Sequence, residues 1–390
     1  MPFQKYNRLC LLISLLTIFS IITIFSNYNL VNSSNITPTT ANDNNNYYSS
    51  SCNISIIVCL NDIYHLHTQL KEEKDKIQID NILEQVNSTK LKEYVELLSS
   101  FHTRHTKSHY IDNVANWLKN EYENICKGRV LFDNYTQSDQ NQTYHLKNII
   151  CIVNNADISS VDNNTNKQNL SSSSLHTNTM IIGAHYDSRT KNINSTYARA
   201  PGADDNASGV SAVLELSRIL SYLDLKYNLQ FVLFSGEEQG FWGSKNYVKY
   251  LDINNRTKNI DLYINFDMIG HPPSNESNKV VLEYDIGNKY KKNDMYSKSI
   301  ALFIKQIASK YTNLNATLSK LGGSDFIPFE ASNITVIGVH DEGPEKNPHY
   351  HNSTDVPDTI NIKYLTSVTK ITLATILELD NLLNKCRLYC

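Results

Sequence analysis

The sequence lacks an excess of either charge: 36 Lys and Arg stand against 39 Asp and Glu, leaving −3. A chain so balanced has no cationic footprint for a phosphate backbone, and a nucleic-acid partner is not expected. It also lacks cysteines arranged for metal. Of seven, Cys10 lies in an apolar N-terminal run, and Cys52, Cys59, Cys126, Cys151, Cys386 and Cys390 show no zinc-finger spacing. Any metal in this chain therefore falls to histidines and carboxylates. The apolar run itself, residues 9–26, lacks any charge and is followed by no clear small-x-small cleavage site. It is long for a signal peptide and barely long enough to span a bilayer.

With Lys5 and Arg8 ahead of it, that run reads as a secretory signal, either cleaved or retained as a single-pass anchor. In either case the rest of the chain is lumenal or extracellular. Six remaining cysteines in an exported chain suggest disulfides, with nearest-neighbour pairing (52–59, 126–151, 386–390) as the simplest connectivity. Asn-x-Ser/Thr sequons at Asn53, Asn87, Asn134, Asn141, Asn255 and Asn333 fit a glycoprotein.

Three segments are expected: 1–26 as signal or anchor, 27–87 as a polar stem with an undefined N-terminal stretch, and 88–390 as the functional domain. The Asn/Ser/Thr-rich run after residue 27 reads as disordered. Helices are expected from Thr89 and around Ile111–Tyr122, then paired strands in KGRVLFDNYTQ and TYHLKNIICIVNN. The low-complexity stretch 157–178 reads as an insertion between strands. Beyond it strand and helix alternate: strand 179–184, helix 209–220, strand 229–234, helix Phe241–Leu251, strand 261–266, helix Tyr296–Lys310, strand 334–339 and a last helix from Tyr364. This alternation predicts an α/β three-layer sandwich, with a mixed, mostly parallel central sheet and helices on both faces.

Chemistry-bearing residues follow the strands. His185 and Asp187 close the first; PGADDNASG with Asp204 and Asp205 precedes the first helix of the alternating part. SGEEQG brings Glu237 and Glu238, then comes Asp267, and NPHYHNSTD carries His349 and His351. Singly each is ordinary, an Asp before a helix being a common N-cap. Together, five segments deliver metal-capable side chains to the carboxyl end of one sheet, where such folds bind ligands. Imidazoles and carboxylates without thiolates suit zinc. There are too many for one tetrahedral ion. Two ions sharing a bridging carboxylate would use two histidines and two terminal carboxylates, leaving one glutamate of the Glu-Glu pair as general base.

The order H-x-D, D-x-x-S-G, E-E, D and H, in AHYDS, PGADDNASG, FSGEEQGFWGS, NFDMIG and NPHYHNSTD, resembles the co-catalytic dizinc exopeptidases that include the bacterial leucyl aminopeptidases and yeast aminopeptidase Y. It extends over about residues 89–385. The resemblance implies an aminopeptidase acting on peptide or protein N-termini with two zinc ions per chain. It implies Asp205 as the bridge, His185 and Asp267 at one ion, Glu238 and His351 at the other, Asp187 orienting His185, and Glu237 as the base. It also implies a cis peptide at Asp205–Asn206.

Some features depart from the pattern. The leucyl aminopeptidases carry a cysteine pair and a Tyr before their Ser-Asp, where this chain has SKLGGSD, and aromatics before the last His, where it has GPEKNP. A leucine preference is therefore not carried over. Asn206 and Asn352 fall in sequons within the site and are not expected to be glycosylated. Two other readings share the scaffold: a glutaminyl-peptide cyclotransferase working with one zinc, and an inactive receptor-like ectodomain. Both are expected to have lost ligands, and here every ligand of both sites is present.

Overall fold

The computed structural model describes residues 74–153, 178–274, 277–287 and 291–389. The chain divides into two compact units, one of residues 83–380 and the other of residues 1–82 and 381–390. In the second, the described residues are helical, belonging to a helix over 74–83 and to the end of the last helix.

The larger unit is built on one eight-stranded sheet in the order β1-β2-β4-β3-β5-β8-β6-β7. Its strands are β1 (Arg129–Asp139), β2 (Gln142–Val153), β3 (Thr179–His185), β4 (Asn228–Phe234), β5 (Ile260–Phe266), β6 (Lys279–Tyr284), β7 (Asn315–Lys320) and β8 (Val336–His340). The sheet is mixed: β3, β4, β5 and β8 run parallel, β2 joins β4 antiparallel, and β6 joins β8 antiparallel. The helices are α1 (Ser88–Ser100), α2 (Ile111–Ile125), α3 (Gly209–Leu220), α4 (Trp242–Ile253), α5 (Lys291–Tyr311), α6 (Phe326–Ala331) and α7 (Ile362–Tyr389).

The central strands are continuous apolar runs because both their faces are covered. Every residue of β3 and β4 is buried. On one face, Ile181, Val232, Phe234 and Tyr263 pack with Tyr247 and Leu251 of α4 and Phe329 of α6. Their neighbours in the strands, such as Met180, Ile182 and Leu233, point the other way, to the side where α3 lies on β3 and β4 with α1 and α2 against it. Three layers follow.

Residues 157–177 of the expected insertion, and Cys52 and Cys59, lie outside the described residues. Cys126 and Cys151 are joined, tying the end of α2 to β2; the side chains of Cys386 and Cys390 lie outside the described part. The apolar run 9–26 does too. Among the described residues no helix is long and apolar enough to cross a membrane. The alternating pattern did not anticipate β6, β7 or α6. β7 is an edge strand with exposed ends, so its sequence NATLSK shows no apolar run. α6 is six residues long with Pro328 inside, too short for a helical period to emerge.

Candidate metal centre

The ends of the parallel strands place the expected residues together. His185 is the last residue of β3, and Asp267 follows β5, its N–H bonded to the carbonyl of Val339 on β8. Glu237 and Glu238 follow β4, and His351 lies in the loop after β8. Asp205 sits in a kinked turn, Ala203–Ser208, that runs into α3, with non-helical backbone at Asp205 and Asn206, and its peptide to Asn206 is cis. Gly202 opens this turn at φ 53°. A Cβ there would meet the Asp205 carbonyl oxygen at 2.3 Å and Arg104 Nη2 at 2.8 Å, so only glycine fits.

Two sets of ligand atoms converge: His185 with Asp205 and Asp267, and Asp205 with Glu238 and His351. His185 Nε2 lies 3.3 Å from Asp205 Oδ1 and 3.3 Å from Asp267 Oδ1. His351 Nε2 lies 3.0 Å from Asp205 Oδ2 and 3.0 Å from Glu238 Oε2. Asp205 thus turns one oxygen to each set. Donors bound to a tetrahedral zinc at 2.0–2.1 Å stand about 3.3 Å apart, which is the spacing seen around His185 and close to that around His351. Glu238 Oε1 is buried without a hydrogen-bond partner, a costly condition that a cation would relieve. Donor chemistry, spacing and the orphaned oxygen all fit zinc.

Electrostatics point the same way. Burial disfavours a charged His185, yet the carboxylates of Asp267 and Glu237, with those of Asp187 and Asp205, outweigh it and raise its pKa well above the usual value. Burial likewise opposes charge on His351, but Asp205 and Glu238 lift its pKa to about 9. Burial raises the Glu237 pKa well above the ordinary carboxylate range, against the pull of His185 and with a further push from Asp267 and Glu238. Acids packed this closely and this dry call for positive charge.

Asp187 is fully buried and works on two fronts. Its Oδ1 lies 3.5 Å from His185 Nδ1, while that ring nitrogen also faces the Asp187 backbone carbonyl at 3.2 Å. The same carboxylate accepts the N–H groups of Glu237 (3.2 Å) and Glu238 (3.3 Å) and the hydroxyl of Thr106 (2.6 Å). It therefore anchors the Glu-Glu turn as well as facing the histidine.

Several supporting residues have no signature in the sequence. Arg104 is fully buried and donates to the carbonyls of Leu98, Tyr186, Pro201 and Gly202, binding the loops that carry Asp187 and Asp205 to each other. Burial draws its pKa down to about 10, with Asp355 and Asp205 opposing, so it stays charged near neutrality. Asp355 accepts the N–H groups of Asp204 and Asp205. Ser324 donates to Asp267 Oδ2 at 2.7 Å, and Arg189 Nε donates to Glu238 Oε2 at 2.7 Å. The ring of Tyr350 stacks on His351 at 3.6 Å. Asn206 is wholly buried, which closes its sequon to a glycan; His349 lies in neither set and pairs with Thr354 instead.

A cleft of about 200 Å³ opens beside the two sets, lined by Asp205, Glu237, Glu238, Asp267 and Glu283 among others, with no lysine or arginine among the described residues of its lining.

Comparison with known proteins matches residues 167–376 to the model of peptidase family M28. A probable zinc metalloprotease of Pyrenophora teres f. teres is 26% identical over 346 residues, covering 80% of this chain and 69% of that protein. Aminopeptidase YwaD of Bacillus subtilis is 28% identical over 206 residues, covering 52% of this chain and 41% of that protein. The crystal structure of Legionella pneumophila LapA aminopeptidase superposes with a TM-score of 0.62 at 19% identity, covering 78% of this chain and 75% of that one. That likeness establishes the fold: a mixed α/β sheet sandwich of the aminopeptidase type.

Proposed function

The chain belongs to peptidase family M28, and from that premise we propose that it is an aminopeptidase holding two zinc ions, which removes residues from peptide N-termini. The observation that carries the reading is Asp205, whose two oxygens each face a different histidine within two converging donor sets. His185 and Asp267 are assigned to one ion, Glu238 and His351 to the other, and Asp205 to both. The cleft supports the amino-terminal direction. Among the described residues five carboxylates and no lysine or arginine line it, which favours a cationic N-terminus and disfavours a C-terminal carboxylate.

Bound zinc supplies Lewis-acid polarisation of the scissile carbonyl and acidifies water. The remaining work falls to the chain. Glu237, buried at the cleft wall, takes a proton from the attacking water and returns it to the leaving amine. Asp187 holds the Glu237 and Glu238 backbone in register and keeps the His185 ring aimed into the site.

Export along the secretory pathway, with 9–26 as signal or anchor, is part of the proposal. The Cys126–Cys151 bridge and the exposed sequon residues Asn134, Asn141, Asn255 and Asn333 support it.

The experiment pairs the adjacent glutamates. Glu237→Gln keeps the shape and removes the base, so two zinc ions per chain should be retained while turnover falls by roughly 10²–10⁴. Glu238→Gln should instead lower zinc content, with partial rescue by excess zinc. Loss of zinc in the first and retention in the second would reverse the roles. A peptide with N-terminal Gln distinguishes the cyclase: released glutamine supports the peptidase, and ammonia with a shortened-by-nothing, cyclised peptide overturns it.

A further inference from the structure

Two carboxylates of the cleft, Glu237 and Glu283, belong to neither donor set, and only Glu237 has a part in the chemistry above. Glu283 lines the cleft but is absent from both groups of converging ligands. The sheet register places it. Glu283 on β6 lies opposite Gly338 on β8, and Gly338 lies opposite Asn265 on β5. These three positions form a row across one face of the sheet, two residues back from Asp267 and His340. With strands about 4.8 Å apart, Glu283 stands roughly 10 Å across the sheet from Asn265.

The middle of that row is a glycine. A Cβ on Gly338 would stand 2.8 Å from Glu283 Oε2 and 2.9 Å from the ring of Phe326. The missing side chain is what lets the carboxylate turn across β8 into the cleft. Its other oxygen accepts the Gly322 N–H at 3.0 Å and lies 3.6 Å from His340 Nε2. The Glu283 side chain is only 14% exposed, and Met268 and Phe326 line the same cleft.

A cleft that holds the donor carboxylates, some apolar wall and a largely buried carboxylate outside both sets suits a long aliphatic side chain tipped with a cation. We propose that Glu283 is a specificity-determining residue that receives the side chain of an N-terminal lysine or arginine. The inference rests on the aminopeptidase reading above, and it adds the substrate class. With the substrate's amino group and carbonyl at the donor sets and Glu237 serving as base, Glu283 is the cleft carboxylate left to meet its side chain.

The test compares aminoacyl fluorogenic substrates of lysine, arginine and norleucine, the last matching lysine's chain without its charge. The zinc-loaded full chain should show kcat/KM for the two cationic substrates about 10- to 100-fold above norleucine, the range of a charge-assisted hydrogen bond in a partly open site. Glu283→Gln should erase most of that ratio, and Glu283→Asp should keep part of it. Calorimetry should show free L-lysine binding the wild-type protein more tightly than L-norleucine. Equal or better turnover of norleucine by the wild type overturns the proposal and leaves the peptidase standing. A cationic preference that survives Glu283→Gln overturns the assignment to Glu283. Should the Gln variant not fold, the wild-type ratio and the calorimetry decide. Hydrolysis of none of the three overturns the peptidase reading, and this proposal with it.

Discussion

The two donor sets differ in what holds them. The set around His185 is strand-borne: His185 ends β3, Asp267 follows β5, and a chain of hydrogen bonds from Asn265 through Ser324 to Asp267 Oδ2 locks the carboxylate. The set around His351 is loop-borne. His351 adopts φ 53°, a conformation uncommon for a side-chain-bearing residue, and Glu238 is steadied by the Arg189 guanidinium, with its Oε1 unpartnered. Rigid strand ends preorganise one set, whereas the other depends on contacts between loops. Asp205 alone belongs to both.

The largest effect should come from breaking what the sets share. Asp205→Asn should remove zinc from both and lower turnover by roughly 10²–10³ or more, as judged by elemental analysis and steady-state rates. Loss of one ion with full retention of the other would show that the sets are independent.

Removing the tether beneath the site should act on the fold as much as on chemistry. Arg104→Met leaves the buried carbonyls of Leu98, Tyr186, Pro201 and Gly202 without their donor. A loss of at least about 3 kcal/mol is expected in urea unfolding. Reduction of Cys126–Cys151, which closes a separation of 25 residues, should cost about 3.5 kcal/mol by the loop-entropy estimate, without selective loss of either ion.

The finer comparison lies in the supporting residues. Ser324→Ala should weaken the strand-borne set and Arg189→Met the loop-borne one, each by about 10- to 100-fold in metal affinity. Cobalt titration followed by visible absorption should resolve which site fills last in each variant. If both substitutions weakened the same step, the two sets would not be separately supported. The smallest change should come from a surface pair: Lys92→Ala breaks an exposed i,i+4 contact with Glu96, and a shift under about 0.5 kcal/mol is expected in unfolding.

What could be read from the chain alone follows from local signals. β3, β4 and β5 are legible because strands covered on both faces must be apolar throughout. α3 is legible because its helical face and the Gly209 start coincide. His185, Asp205, Glu237, Glu238, Asp267 and His351 are legible as candidates because their residue types cluster just beyond those strands, and the structure brings them to one edge. β6 and β7 are not legible, since partial burial at the far side of the sheet leaves their sequences mixed. Arg104 and Thr106 precede α2 in a stretch without period, and their partners Tyr186, Gly202 and Asp187 lie 81 to 98 residues away.

Sequence by itself determined the alternating strands and helices, the balance of charge and the supply of imidazoles and carboxylates, because hydrophobic period and side-chain chemistry are local properties. Only the tertiary structure decided that Asp205 faces two histidines, that Arg104 joins two distant loops, and that Gly338 clears a path for Glu283. Those facts depend on strand register and chain crossing, which bring together residues whose separation along the chain carries no trace of their contact.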